Sequence, residues 1–107
     1  MLIVHHTHLS SEQTDGVRSL LVSHSHNHSA SFEILLIDLS PGAQLPAAEH
    51  DGEQVVVVLA GQGKLLLPTG PQRFAAPSSL FIPPHEVCQI VNNSGTDLRL
   101  VMVSRRA

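Results

Sequence analysis

The sequence predicts an all-β protein, a single antiparallel sandwich or barrel, on three observations. Apolar residues fall in short runs of strand length, rich in Val, Ile and Leu. Turn residues recur at short intervals: Pro41-Gly42, Asp51-Gly52, Gly61-Gln62-Gly63, Pro68-Thr69-Gly70-Pro71, Pro83-Pro84 and Asn92-Asn93-Ser94-Gly95-Thr96-Asp97. No stretch of about ten residues or more combines helical periodicity with a capping signal. With 107 residues the chain has the length of one domain. Residues 1–31 read as N-terminal strands with a His-rich loop, and 32–103 as the core.

In chain order, Ser11-Glu12-Gln13-Thr14 is the one place where a single helical turn is expected. Val17 to Val22 and Phe32 to Leu39 read as strands, and Pro41-Gly42 turns the chain after the second. Val55-Val56-Val57-Val58-Leu59 is apolar at every position, so both faces of this strand need a cover. Gly61 and Gly63 flank a hairpin and are expected at positive φ. Lys64 to Leu67, Ser79 to Ile82 and Val87 to Val91 follow as strands. Pro83-Pro84 cannot sit in a central ladder and separates the last two. Leu98 to Val103 alternates in part, as a half-buried strand does.

Composition excludes several functions. The run at Val55 and its neighbours needs a core, which argues against disorder. No apolar stretch approaches the roughly 20 residues of a membrane span. The first residues, Met1-Leu2-Ile3-Val4-His5-His6, lack the basic start and long apolar stretch of a signal peptide. The single cysteine, Cys88, allows no internal disulfide and fits a reducing, cytoplasmic setting. Six basic residues against nine acidic, no Trp or Tyr and three Phe give neither a phosphate-binding surface nor a base-stacking platform. Nucleic acid and membrane are therefore not expected partners. Charged residues make up only 14% of the chain, about half the usual share. Together with the doubly apolar strand at Val55, this predicts a homodimer.

Histidine is abundant, at eight residues. In Ser23-His24-Ser25-His26-Asn27-His28-Ser29, alternation puts His24, His26 and His28 on one face if the segment is extended; His6 and His8 share the spacing. Such a row can hold Zn, Ni or Cu loosely. The segment reads first as a polar loop, since Ser, His and Asn dominate it and apolar runs flank it on both sides.

From Gly42 onward the sequence resembles the cupin family, in its small single-domain bacterial form. Gly42 and Gly61 stand where the first family motif has glycines, and His50 falls on the second histidine of its His-x-His pair. The first histidine position is Ala48 and the glutamate position is Gln54. Pro83 and Asn92 match the second motif, whose glycines are replaced by Pro77 and His85 and whose histidine is replaced by Cys88. The resemblance covers about residues 32 to 103 and implies a jelly-roll β-barrel of the RmlC-like kind. In metal-binding members three His and one Glu hold a divalent ion inside the barrel; here one of the four remains.

Positions 48, 50 and 54 are evenly spaced and share a face on a continuous strand, although Asp51-Gly52 signals a turn. The expected pocket is thus His50, Gln54, Cys88 and the gap at Ala48, with His85 at the rim. Imidazole and thiolate are good ligands for zinc or copper, whereas a neutral amide is a poor one; the divalent ions that come into question are Zn, Cu, Ni, Fe or Mn. Three functions follow as expectations. The first is a cytoplasmic barrel that binds a small organic ligand. The second is a metal-dependent dioxygenase, isomerase or lyase using His50 with Cys88, Gln54 or His85. The third is metal handling through His24, His26 and His28.

Overall fold

The computed structural model describes residues 3, 5–23 and 32–105. After a 3-10 turn at His6–His8, nine strands follow: β1 (Glu12–Thr14), β2 (Val17–Ser23), β3 (Phe32–Leu39), β4 (Gln54–Ala60), β5 (Gln62–Leu67), β6 (Gly70–Ala75), β7 (Ser78–Ile82), β8 (Gln89–Val91) and β9 (Leu98–Arg105). They form two antiparallel sheets, a larger one in the order β1-β2-β3-β9-β4-β7 and a smaller one in the order β6-β5-β8. The segment after Gly42 runs antiparallel to β8. Leu45 N–H donates to the Ile90 carbonyl, and Ala48 and Cys88 exchange both backbone bonds at 3.0 Å.

Strand parity sorts the side chains. In β4, Gln54, Val56 and Val58 are buried while Val55 and Val57 are half-buried; in β9, Leu98 and Leu100 are fully buried. These residues, with Ile37 and Leu39 of β3, meet Leu65, Phe74 and Ile90 of the smaller sheet in one core. The registers Ile37↔Leu100 and Val58↔Leu100 place three strands' apolar residues in one inner row.

Asn92 pins one end of this core. It is wholly buried, and its Nδ2 donates to the carbonyls of Leu39 (2.9 Å) and Thr96 (2.8 Å). Its Oδ1 accepts from the N–H and the hydroxyl of Ser94, at 3.0 and 2.8 Å. All four capacities of the amide are used, so its burial carries no orphan group.

The strands expected from the sequence are present, all but Phe32–Leu39 with shifted ends, and three expectations are corrected. Glu12–Thr14 is a strand, not a helical turn, because Asp15 (φ 51°) and Gly16 (φ 80°) close a two-residue hairpin that pairs it with β2. Positive φ at both central residues makes this a type I′ turn, a form for which Asp-Gly is favoured. The stretch read as punctuation around Gly70-Pro71 begins a strand, β6; it lies at a sheet edge, where Pro71 deprives no second neighbour of a bond. Gly61 has φ +90° as expected, but Gly63 has no positive φ. It is needed for room, since a Cβ there would stand 2.7 Å from the Val91 carbonyl oxygen.

Candidate ligand site

Between the sheets lies a cavity of about 240 Å³. One wall comes from the larger sheet: Leu35 and Ile37 of β3, Met102 of β9, Gln54 of β4 and Ile82 of β7. Leu45, Pro46, Ala48 and His50, with Cys88 and Ile90, form the other. The cavity thus brings together four of the five expected pocket residues. Ala48, His50 and Gln54 do so without the continuous strand that their spacing implied, because β4 begins only at Gln54 and a bend intervenes at Asp51 and Gly52. The double backbone bond of Ala48 to Cys88 carries the segment across instead.

His85 does not line the cavity. Its backbone N–H donates to the His50 carbonyl at 2.8 Å, while its side chain is 65% exposed, with Nδ1 3.5 Å from Glu49 and 3.9 Å from Asp51. At φ +65° the backbone of His85 turns the chain at the cavity rim. His50 is exposed at the same rim.

Gln54 is the buried polar group of the lining, and its Nε2 donates to Ser104 Oγ at 2.9 Å. The strand reading from the sequence stopped at Val103 and so missed Ser104. The signal was present, because parity from Leu98 through Leu100 and Met102 puts residue 104 on the inner face. Cys88 is buried, and its thiol is pushed above its ordinary range, first by burial and then by the charge of Glu86. It therefore stays protonated near neutral pH and is a weak nucleophile.

The donor set does not fit the divalent ion that the fold accommodates elsewhere. The Ala48 side chain supplies no donor atom and Gln54 offers only a neutral amide, which leaves His50 and Cys88 as the two strong ligand types at the cavity. Among the described residues, no three His, Cys, Asp or Glu side chains converge as a metal-holding group. His24, His26 and His28 lie outside the described residues. A larger recess, about 450 Å³, opens on the other face of the larger sheet beside His6, Arg18, Asp38, Leu59 and Arg99. Its polar groups include an exposed ion pair, Arg99 Nε to Asp38 at 2.8 Å, and it lacks the buried, convergent polar group that the inner cavity has.

Two sheets enclosing a ligand-sized space between their inner faces define a jelly-roll barrel. The family model for the cupin domain matches residues 35–104, and the chain belongs to that family. It is 37% identical over 83 residues to auxin-binding protein 1 of Arabidopsis thaliana, covering 68% of this chain and 42% of that one, so it spans less than half the length of this relative. Among solved structures it is similar to the polyketide cyclase RemF from Streptomyces resistomycificus, with a TM-score of 0.86 and 22% identity over 100% of this chain and 80% of that one. It is also similar to a predicted oxalate decarboxylase from Thermotoga maritima, with a TM-score of 0.87 and 18% identity over 99% and 100% of the two chains. At these identities the structural likenesses establish the fold. Among the described residues no helix is long and apolar enough to cross a membrane.

Proposed function

We propose that this protein binds a small organic molecule in the space between its two sheets. The observation that carries this reading is the cavity itself: aliphatic side chains on both walls, one buried amide and an opening at His50. Apolar concavities with a few fixed polar groups are the usual form of small-molecule sites, and about 240 Å³ lies just below their common range of about 300–1,000 Å³. The relative named for auxin binding supports a binding role for the barrel. The metal-dependent enzyme reading has less support, because one imidazole and one sulfur leave the usual three or four ligands incomplete. We propose further that two copies associate through the outer face of the larger sheet, where Leu59 and Phe81 are exposed.

The first test is elemental analysis of untagged protein before any chelator or added metal, repeated on His50→Ala. Metal well below one ion per chain in both proteins is the expected result. Near-stoichiometric metal that disappears in His50→Ala would overturn the reading in favour of a metal-dependent site, and metal retained in that variant would point to His24, His26 and His28. The second test fills the cavity with Ala48→Phe, which is expected to abolish binding of small aromatic probes while the fold persists.

A further inference from the structure

The registers of the larger sheet lay its inner side chains out in rows. Leu35, Met102, Val56 and Leu80 form one apolar row across β3, β9, β4 and β7. The next row toward the cavity rim is Glu33, Ser104, Gln54 and Ile82, and it is largely polar. From this row Gln54, only 3% exposed, faces a largely apolar space that also holds Cys88 and, at its rim, His50. Its bond from Nε2 to Ser104 Oγ is the one side-chain hydrogen bond Gln54 makes among the described residues. Oε1 has no donor among those residues and is not one of the fully enclosed unpartnered atoms, so it is reachable from the cavity that Gln54 lines. A ligand that displaces water from this oxygen must supply a donor of its own or leave the acceptor unpaired.

The surroundings also disfavour a charged ligand. Among the described residues no Lys or Arg lines the cavity, whereas Glu49 and Asp51 flank the rim at His85 and Glu86 lies close enough to act on Cys88. An anion entering here loses water and meets like charge. An apolar cavity of about 150 Å³ already admits benzene, so a single ring with one or two small substituents suits this one.

We infer that the cavity selects an uncharged, single-ring-sized molecule carrying one O–H or N–H, which donates to Gln54 Oε1. Ser104 is a positioning residue: by accepting from Nε2 it turns the amide oxygen toward the ligand. This inference rests on the reading that the barrel binds a small molecule, and the experiment separates the two.

Toluene, p-cresol and p-toluate are titrated into the full chain near neutral pH, with binding read from amide cross-peak shifts in NMR spectra. Toluene is the more apolar of the first two, so a merely greasy cavity prefers it. The expected result is that p-cresol binds about threefold to tenfold more tightly than toluene, the worth of one hydrogen bond, and that p-toluate binds most weakly. Gln54→Leu and Gln54→Met are expected to remove the preference for p-cresol while toluene still binds. Ser104→Ala reduces the preference and Ser104→Thr, which keeps the hydroxyl, retains it; a purely structural role would weaken all probes alike. Toluene binding as tightly as p-cresol to the wild type, p-toluate binding tightest, or a preference that survives both Gln54 variants each overturns the inference and leaves the binding role standing. If none of the three probes binds the wild type, the binding role falls and the inference with it. Should neither Gln54 variant fold, the wild-type ranking of the three probes decides.

Discussion

The two faces of the larger sheet are built from the same kinds of residue and meet different fates. On the inner face Val56 and Val58 of β4 and Leu98 and Leu100 of β9 are 0–1% exposed. On the outer face of those strands and β7, Val55 and Val57 are half-buried, Leu59 is 52% exposed and Phe81 77%. The smaller sheet closes the inner face, leaving a cavity beside Gln54. On the outer face the open recess beside His6 and Leu59 is large and bordered by charge. The difference teaches that apolar content alone does not make a core: burial follows from which face a second layer reaches.

The largest effect that can break this comparison is a truncation on each face of one strand. Leu100→Ala is expected to lower the unfolding free energy by about 3 kcal/mol, as cavity-forming core changes do. Val101→Ala, one residue on and half-buried, is expected to cost about 1 kcal/mol or less. Urea denaturation of both variants measures the ratio, and equal costs would mean that the outer face is as well packed as the inner one.

Asn92→Ala comes next, with an expected loss of about 2–3 kcal/mol because the Leu39 and Thr96 carbonyls and the Ser94 N–H lose their buried partner. Thermal unfolding checks it; a loss as small as that of a surface substitution would show that the inner face closes without this tie.

On the outer face, Phe81→Asp and Val57→Lys are expected to leave the folded monomer within about 1 kcal/mol of wild type while turning a dimer into a monomer in sedimentation experiments. A wild-type chain that sediments as a monomer at high concentration would remove the proposed second copy and leave the outer face solvated.

The smallest effect concerns the inner face's own titratable group. Folding raises the Cys88 thiol above its ordinary range, through burial and then the charge of Glu86. The folded chain therefore keeps a proton that the unfolded chain gives up first. Stability is expected to be level below the ordinary thiol range and to fall as pH rises through it. Alkylation of the folded protein near neutral pH should be slower than that of the same chain in denaturant. A folded-state rate equal to the denatured one would show that the thiol is neither buried nor shifted.

Much of the fold was legible in the residues. Phe32 to Leu39 was bounded correctly at both ends, and Leu98 to Val103 fell short of β9 by two residues. The failures share a cause, which is that strand propensity is a weak guide where pairing decides. Glu12–Thr14 is polar and exposed, yet the hairpin at Asp15 and Gly16 aligns it with β2. Gly70–Ala75 contains a proline and little apolar surface, yet the edge of β5 holds it. At the cavity, Ala48, His50, Gln54 and Cys88 were singled out from motif positions; His85 was expected at the rim, where its backbone lies while its side chain points outward, and Ser104 was overlooked.

By itself the sequence determined the all-β class, the order of most strands and the altered polar set at residues 48, 50, 54 and 88, because period, turn chemistry and residue identity are local properties of the chain. Only the tertiary structure decided which face of Val55 to Leu59 is the core, that Ser104 orients Gln54, and that His85 turns toward Glu49 and Asp51. The physical reason is that each of these depends on register between strands far apart in the chain. A shift of one residue in that register would exchange the two faces of a sheet whose strands are apolar on both sides.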